Sequence, residues 1–183
     1  MERNKKNWRQ IRSQVKEFVE NEVYPAESLL SKRDEAARKK IQELMQLAKE
    51  RSLWALGHPK DIGGQGMPFM EYVYINEVIG RSTSAMVALG THSLQDSIML
   101  REFASKTWRD KYLVPLVQGE IFPSFGMTEP DVASSDPTQL QTTAILDGKD
   151  WVINGRKWFI SNVAHPLCEL LIIMGKTNPS AEP

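Results

Sequence analysis

The 183-residue sequence holds a single cysteine, Cys168. One thiol cannot form an internal disulfide, and it excludes a zinc site built on several thiolates. So little cysteine is typical of a reducing compartment, and the first twenty residues lack the apolar core of a secretory leader. We therefore expect a cytoplasmic protein.

Long apolar runs and an excess of either charge are also missing. The longest apolar runs, such as Leu170 to Met174, fall far short of the roughly 20 residues that cross a bilayer, so no membrane span is predicted. Lys and Arg total 23, as do Asp and Glu, which makes the formal net charge zero. This balance gives no support for binding to nucleic acid or to an anionic membrane surface.

Several common catalytic motifs are absent as well. The sequence has neither HExxH nor GxSxG, and its glycine cluster GGQGMP fits neither the dinucleotide fingerprint nor a P-loop. The three histidines, His58, His92 and His165, are too scattered to predict a metal site. The whole chain is 41% hydrophobic and 25% charged, which is typical of a folded domain with a hydrophobic core.

Apolar periodicity predicts helices through the first two thirds of the chain. Apolar residues from Trp8 to Val23 recur every three or four positions, and Pro25 is expected to end this first helix. Further helices are predicted at about 34–51, 69–80, 94–103 and 107–117. Residues 1–120 are therefore predicted to form an N-terminal helical domain.

After Gly119 the pattern changes to short runs of β-branched and aromatic residues separated by turn pairs. Asp147-Gly148 and Asn154-Gly155 each predict a tight hairpin in an antiparallel meander. Leu170 to Met174 is predicted to be a strand buried on both faces, and TNPSAEP a loop. Such a last strand leaves an apolar edge open, so we expect residues 121–183 to be the first part of a truncated β-domain. The predicted fold class is α+β.

One stretch with candidate chemistry is FGMTEPDVASSD, residues 125–136. Its backbone amides and the hydroxyls of Thr128, Ser134 and Ser135 offer a neutral hydrogen-bonding wall for a polar aromatic ring or a phosphate. The same residues are compatible with a hairpin loop whose hydroxyls bond to its own backbone, and composition alone favours that simpler interpretation.

The second candidate stretch is WVINGRKWFISN, residues 151–162. A predicted hairpin turn leads into a strand containing Trp158, Phe159, Ile160 and Ser161. Flat apolar groups followed by a hydroxyl can hold an extended cofactor ring, although a plain core strand has the same pattern. Strand alternation predicts that Phe159 and Ser161 share one face.

Together the two stretches resemble the acyl-CoA dehydrogenase family, in which a TEPxxxSD loop is followed, after a hairpin, by an INGxKxxIxN strand. The stretches KDIGGQGMPFMEYVYINEVIGR, LGTHSL and DKYLVPLVQGEI also resemble family segments, in the same order. The resemblance implies an N-terminal helical domain and the start of a middle β-domain, with the family's C-terminal helical domain absent. It also implies α,β-dehydrogenation of an acyl-CoA thioester with hydride transfer to FAD.

The resemblance assigns roles to particular residues. Those expected to bind the cofactor are Phe125, Gly126, Met127, Thr128, Ser134, Phe159, Ile160 and Ser161. Ser135 is expected to contact the acyl-CoA. The loop EPDVASSD is one residue longer than the common EPxAGSD and lacks its glycine, which leaves the register of Ser134 against Ser135 open. Phe159 stands where tryptophan is common, and Ser161 where threonine is common.

In this family the catalytic base is a carboxylate in the C-terminal domain, beyond Pro183, so no catalytic residue is predicted here. The resemblance gives Glu129 a structural role, and Asp131 and Asp136 flank a turn. We expect the isolated chain to be inactive, and the full protein to be a homo-oligomer that passes electrons to an acceptor such as an electron-transfer flavoprotein. The alternatives are a flavin oxidase or monooxygenase on the same fold, or a noncatalytic interaction module.

Overall fold

A computed structural model describes residues 7–180 of the chain. The first six residues and the last three of the predicted terminal loop lie outside this range. The chain divides into two compact units at the boundary between Glu120 and Ile121. No helix in the described part of the chain is long and apolar enough to cross a membrane.

The first unit is helical, as the sequence predicts. Its α-helices are α1 (Trp8–Phe18), α2 (Glu27–Leu30), α3 (Glu35–Glu50), α4 (Phe69–Ile79), α5 (Thr83–Ala88), α6 (Leu94–Phe103), α7 (Lys106–Trp108) and α8 (Val114–Gln118). Two π-helical turns, Val19–Val23 and Arg109–Leu113, and two 3₁₀ turns, Tyr24–Ala26 and Lys60–Ile62, complete it.

Side-chain caps begin several of these helices. Asp34 accepts a hydrogen bond from the Ala37 amide at 2.8 Å, which satisfies an otherwise unpaired donor at the start of α3. Ser82 does the same for α5, accepting from the Ala85 amide at 3.2 Å. The sequence prediction missed α5 because six residues are too few to show helical periodicity, but its serine cap was a readable signal.

Pro25 does not end the first helical segment, so that part of the prediction is wrong. The chain continues from α1 through the π turn Val19–Val23 and the 3₁₀ turn Tyr24–Ala26 into α2. Proline lacks an amide donor and crowds the preceding turn of a regular helix. Here it lies at the start of the 3₁₀ turn, where no amide donor is required, and the wider π turn precedes it.

A buried tryptophan links α3 to the end of α8 within the first unit. Trp54 donates its indole N–H to the carbonyl oxygen of Val117 at 2.9 Å, and Lys49 lies 4.7 Å above the centre of the Trp54 ring. Lys49 also donates to the carbonyl oxygen of Gln118 at 2.9 Å. The fully buried side chains of the first unit include Phe18, Leu44, Leu53, Leu56, Ile75, Ile79, Leu89 and Leu116.

Gly90 lies directly against this tryptophan. Its φ is +68°, and an added Cβ would lie 2.6 Å from the Trp54 ring. We expect Gly90→Ala to lower the free energy of unfolding of the first unit by about 2–3 kcal/mol through overpacking and backbone strain. Urea unfolding followed by the amide signals of the first unit measures this.

The control is Gly148→Ala. Gly148 has a similar φ of +62° but no atom within 4 Å of an added Cβ. Gly148→Ala should therefore lower the free energy of unfolding of the second unit by the cost of backbone strain alone, about 1 kcal/mol. Equal losses for the two variants would contradict the packing role assigned to Gly90.

The described residues of the second unit, 121–180, form four strands: β1 (Phe122–Gly126), β2 (Thr143–Asp147), β3 (Asp150–Asn154) and β4 (Cys168–Ile173). A 3₁₀ turn occupies Pro137–Gln139. Strands β2 and β3 are antiparallel, with Leu146 opposite Trp151, and Gly148 provides the positive φ in the turn between them. The hairpin predicted at Asp147-Gly148 and the α+β fold class are confirmed.

Strand β4 pairs with β1 in parallel, so the predicted antiparallel meander is wrong for these two strands. Ser124 lies opposite Leu171, and Gly126 opposite Ile173. A long connection that contains β2 and β3 lets the chain return in the same direction, which a tight turn cannot do. The prediction that this strand is buried on both faces is also wrong, because Leu171 and Ile173 are 44% and 38% exposed.

The hairpin predicted at Asn154-Gly155 is absent as well. Strand β3 ends at Asn154, no strand contains residues 155–162, and Phe159 and Asn162 have φ angles of +53° and +66°. Strand alternation therefore does not place Phe159 and Ser161 on a common face. The chain instead leaves β3 to bond with the residues that follow β1, as described next.

Candidate functional site

The two stretches with candidate chemistry run side by side in the second unit. At one end, the Trp158 amide donates to the carbonyl oxygen of Thr128 at 3.1 Å. At the other, the Ser124 hydroxyl donates to the carbonyl oxygen of Ser161 at 2.6 Å. Segment 125–128 and segment 158–161 are therefore neighbours in the fold, although they are far apart in the sequence.

An exposed aromatic ring stands out among these residues. Phe159 is 82% exposed, and its ring centre lies 4.6 Å from that of Trp158. Its φ of +53° is a strained backbone conformation for a bulky residue. An exposed ring held at such a backbone position fits a surface that is covered by a flat apolar partner.

The remaining predicted site residues differ in their exposure. Phe125, Met127, Thr128 and Ile160 are half-buried, Gly126 is buried and Ser161 is exposed. Apolar and hydroxyl side chains in the two segments therefore retain accessible surface, which the chemistry of a large aromatic cofactor requires.

A buried carboxylate lies beside the two segments. Glu129 accepts hydrogen bonds from the backbone amides of Gln141 at 2.7 Å and Thr142 at 2.9 Å, and from the Lys157 ammonium at 2.8 Å. Lys157 also donates to the carbonyl oxygen of Met127 at 2.8 Å. The Glu129 and Lys157 side chains are only 4% and 12% exposed.

These donors keep Glu129 charged. Burial by itself disfavours the carboxylate, but hydrogen bonds from Lys157, Thr142 and Gln141 outweigh it and lower the pKa of Glu129 to about 2. A carboxylate held in this way has no tendency to take up a proton near neutral pH. Glu129 is therefore a structural group in this arrangement and not a general base.

Gly155 allows the chain to pass close to the donors of Glu129. A Cβ at Gly155 would lie 2.8 Å from the Cα of Thr142 and closer still to its side chain. The glycine is thus required by a close approach of two chain segments, whereas the sequence had suggested a hairpin turn.

The serine-rich loop is closed by one of its own hydroxyls. Ser134 Oγ accepts a hydrogen bond from the Glu129 amide at 2.7 Å and lies 3.4 Å from the Glu129 carbonyl oxygen. Ser135 is exposed. The two serines whose register the sequence left open therefore differ in structure, because one holds the loop and the other faces solvent.

The two aspartates of the loop are also locally engaged. Asp136 accepts from the hydroxyl and the amide of Thr138 at 2.7 and 3.0 Å, and these two bonds lower the pKa of Asp136. Asp131 pairs with Arg156 at 3.2 Å, with both side chains largely exposed. Neither carboxylate is arranged as a base, in agreement with the sequence interpretation.

The histidines do not form a second site. His58 is fully buried, and its Nε2 lies 3.2 Å from Ser93 Oγ. Burial lowers the pKa of His58 to about 4, against the raising effect of a hydrogen bond to the Ser93 backbone. His165 accepts from the Leu167 amide and packs against Phe122. Across residues 7–180, no group of three or more His, Cys, Asp or Glu side chains could hold a metal ion.

Sequence reasoning missed Lys157 and the amides of Gln141 and Thr142. The available signal was the lysine at the fixed position of the INGxKxxIxN motif, together with the glutamate of the TEP stretch. Nothing in the spacing connected these two residues, which lie 28 positions apart.

Comparison with known proteins places this site in a family. Residues 5–120 match the family described as "Acyl-CoA dehydrogenase, N-terminal domain", and residues 124–182 match "Acyl-CoA dehydrogenase, middle domain". The chain belongs to the acyl-CoA dehydrogenase family. The resemblance inferred from the two motif stretches is thereby confirmed, and with it membership of a family of FAD-dependent oxidoreductases.

Individual relatives agree with this assignment. The probable acyl-CoA dehydrogenase FadE2 of Mycobacterium tuberculosis is 38% identical over 180 residues, which are 93% of this chain and 44% of the relative. A solved structure from Mycobacterium abscessus, of a chain assigned to the same family, is 34% identical with a TM-score of 0.86. That match covers 96% of this chain and 47% of the other.

A third comparison concerns the cofactor. The acyl-CoA dehydrogenase of Bacillus anthracis complexed with FAD is 26% identical, with a TM-score of 0.69 over 91% of this chain and 28% of the other. The present chain therefore spans less than half the length of each of these three proteins.

Proposed function

We propose that this chain supplies the N-terminal helical domain, residues 1–120, and the start of the middle β-domain, residues 121–183, of an FAD-dependent acyl-CoA dehydrogenase. The full protein would catalyse α,β-dehydrogenation of an acyl-CoA thioester. The observation that carries the proposal is the juxtaposition of segments 125–128 and 158–161, the second of which carries the exposed ring of Phe159. FAD, when bound, supplies the acceptor for the substrate hydride.

In this proposal the two segments form a ring wall, which we define as residues 125–128 and 158–161. The apolar side chains of the wall cover the flavin and exclude water, and its hydroxyls donate hydrogen bonds to the polar edge of the ring. The residues proposed to contact FAD are Phe125, Gly126, Met127, Thr128, Phe159, Ile160 and Ser161. Ser134 contributes by closing the adjoining loop, and the exposed Ser135 is proposed to contact the acyl-CoA.

The described residues bind and orient but move no proton in this scheme. Dehydrogenation needs removal of a proton next to the thioester carbonyl as well as hydride transfer. Glu129 is committed to Lys157 and two amides, and Asp131 and Asp136 are engaged on the surface of their loop. The base is therefore proposed to lie in the part of the protein that follows this chain.

The proposed partners follow from the same assignment. Acyl-CoA is the substrate, an electron-transfer flavoprotein is the type of acceptor expected for the reduced flavin, and the full protein is proposed to be a homo-oligomer. An oxidase or monooxygenase would instead show fast reaction of the reduced flavin with oxygen, which stopped-flow measurements on the full protein distinguish.

We expect the purified 183-residue chain to bind FAD weakly and to show no bleaching of the flavin by acyl-CoA. Phe159→Ala should weaken FAD binding by about three- to tenfold, because the ring wall loses an aromatic contact. Quenching of flavin fluorescence gives the Kd, and the visible absorbance of the flavin reports bleaching.

The matched control is Phe103→Ala, which removes an equally exposed aromatic ring from the first unit. Equal Kd values for the Phe159→Ala and Phe103→Ala chains would argue against the ring wall. Stoichiometric flavin that acyl-CoA bleaches would overturn the proposal that the isolated chain is inactive.

A further inference from the structure

Glu129 and Lys157 are each covalently bonded to a residue of the ring wall. Glu129 directly follows Thr128, and Lys157 directly precedes Trp158. The Lys157 ammonium also bonds to the carbonyl oxygen of Met127 at 2.8 Å. A change in the separation of Glu129 and Lys157 is therefore transmitted to both halves of the wall within one residue.

The pair is also anchored to a third part of the second unit. The amides of Gln141 and Thr142, which lead into β2, donate to the two carboxylate oxygens of Glu129. Close packing of Gly155 on Thr142 fixes the route by which the chain reaches Lys157. Glu129 is thus held by the two amides that precede β2 and by Lys157, which leaves it little freedom to shift.

We infer that Glu129 and Lys157 are positioning residues that set the spacing of the two segments against the flavin ring. This inference rests on the proposed function. The inference goes beyond the proposed function because neither Glu129 nor Lys157 belongs to the ring wall. Both act through backbone groups: Lys157 through the Met127 carbonyl and the Trp158 amide next to it, and Glu129 through Thr128.

Stability alone does not explain a buried ion pair at this place. Desolvation of two charges offsets most of their attraction, and apolar pairs of similar size often stabilise a protein as well or better. Hydrogen bonds from one ammonium to a carboxylate and a carbonyl are directional, so they fix an arrangement that apolar packing leaves loose. Control of geometry is therefore the property that this pair adds.

The test uses the neutral double variant Glu129→Gln/Lys157→Met, which leaves no lone buried charge and keeps an oxygen acceptor at position 129. Its control is Asp131→Asn/Arg156→Met, which removes the neighbouring exposed pair. Hydrogen exchange of the Trp158 amide, bonded to Thr128, is compared with that of the Phe122 amide, bonded to Leu167 in the same unit. The ratio of the Trp158 and Phe122 exchange rates separates local loosening from any change in overall stability.

The Glu129→Gln/Lys157→Met chain is expected to lose protection at Trp158 relative to Phe122 by about tenfold or more, and its FAD Kd should rise by a similar factor. The Asp131→Asn/Arg156→Met chain should change neither value. Unchanged relative protection at Trp158 in the Glu129→Gln/Lys157→Met chain overturns the inference, whatever happens to FAD.

The flavin measurement distinguishes this result from a failure of the proposed function. If the unmodified chain shows no FAD binding, the proposed function fails. A loss of Trp158 protection would then still support the pair as the element that spaces the two segments. If FAD binds and protection is lost without a rise in Kd, the spacing is irrelevant to the flavin and the inference is overturned.

Discussion

Replacing Lys157 with methionine is expected to lower the free energy of unfolding of the second unit by about 3–5 kcal/mol. The substitution removes the only charged partner that Glu129 has among the described hydrogen bonds and leaves a buried carboxylate with two amide donors. It also leaves the carbonyl oxygen of Met127 without its lysine donor. Urea unfolding, followed by the amide signals of residues 122–176, measures the loss.

Arg156→Met is the matched control because it deletes the adjacent cation of the same stretch. Arg156 and Asp131 are 72% and 65% exposed, so their attraction is screened by water. This variant should change the free energy of unfolding by less than about 0.5 kcal/mol. If Lys157→Met were no more harmful than Arg156→Met, Lys157 would not be the group that compensates the buried charge of Glu129.

A loss of stability in acid is the second large effect. Since the folded state lowers the pKa of Glu129 from its ordinary 4.5 to about 2, ionised Glu129 stabilises the fold above pH 4.5. This contribution should disappear progressively as the pH falls from about 4.5 to about 2, where the carboxylate becomes protonated in the folded state as well. Unfolding free energies measured across this range test the expectation.

Glu129→Gln isolates the contribution of this one carboxyl group. The variant should be less stable than the unmodified chain at pH 6, and the difference should shrink as the pH approaches 2. The lowered pKa of Asp136 is common to both chains and cancels in the comparison. Parallel stability curves for the two chains would show that Glu129 does not titrate as described.

Local signals explain why much of the fold could be predicted from the sequence. Helix α3 combines a continuous apolar stripe with the Asp34 cap, and its bounds came out within one residue of the prediction. The β2–β3 hairpin forms where the Asp147-Gly148 pair predicts it, with Gly148 supplying the positive φ of the turn. In both cases the information lies within a few residues of the element that it specifies.

Nonlocal contacts explain what the sequence could not show. Pairing of β4 with β1 depends on a return of the chain over a long connection, and no short pattern encodes its direction. Likewise, the positive φ of Phe159 arises where the chain after Gly155 bonds to Met127 and Thr128. Residues 155–162 have the composition of a strand, but these tertiary bonds give them another conformation.

The candidate site also combines features that local motifs predict with features that depend on nonlocal contacts. Family motifs predicted the residues that are proposed to form the ring wall, and the structure brings the two segments together. The buried pair beside the wall was not predicted, because the partners are far apart in the sequence and each is unremarkable alone. Only the folded chain brings Glu129, Lys157 and the amides before β2 together.

The most direct test of the ring wall is an NMR titration of the 183-residue chain with FAD. Amide signals from both 125–128 and 158–161 should shift together along one binding curve, with the Phe159→Ala chain requiring more FAD to reach the same shift. Shifts confined to one of these segments, or to residues of the first unit, would contradict the claim that both segments face a single flavin.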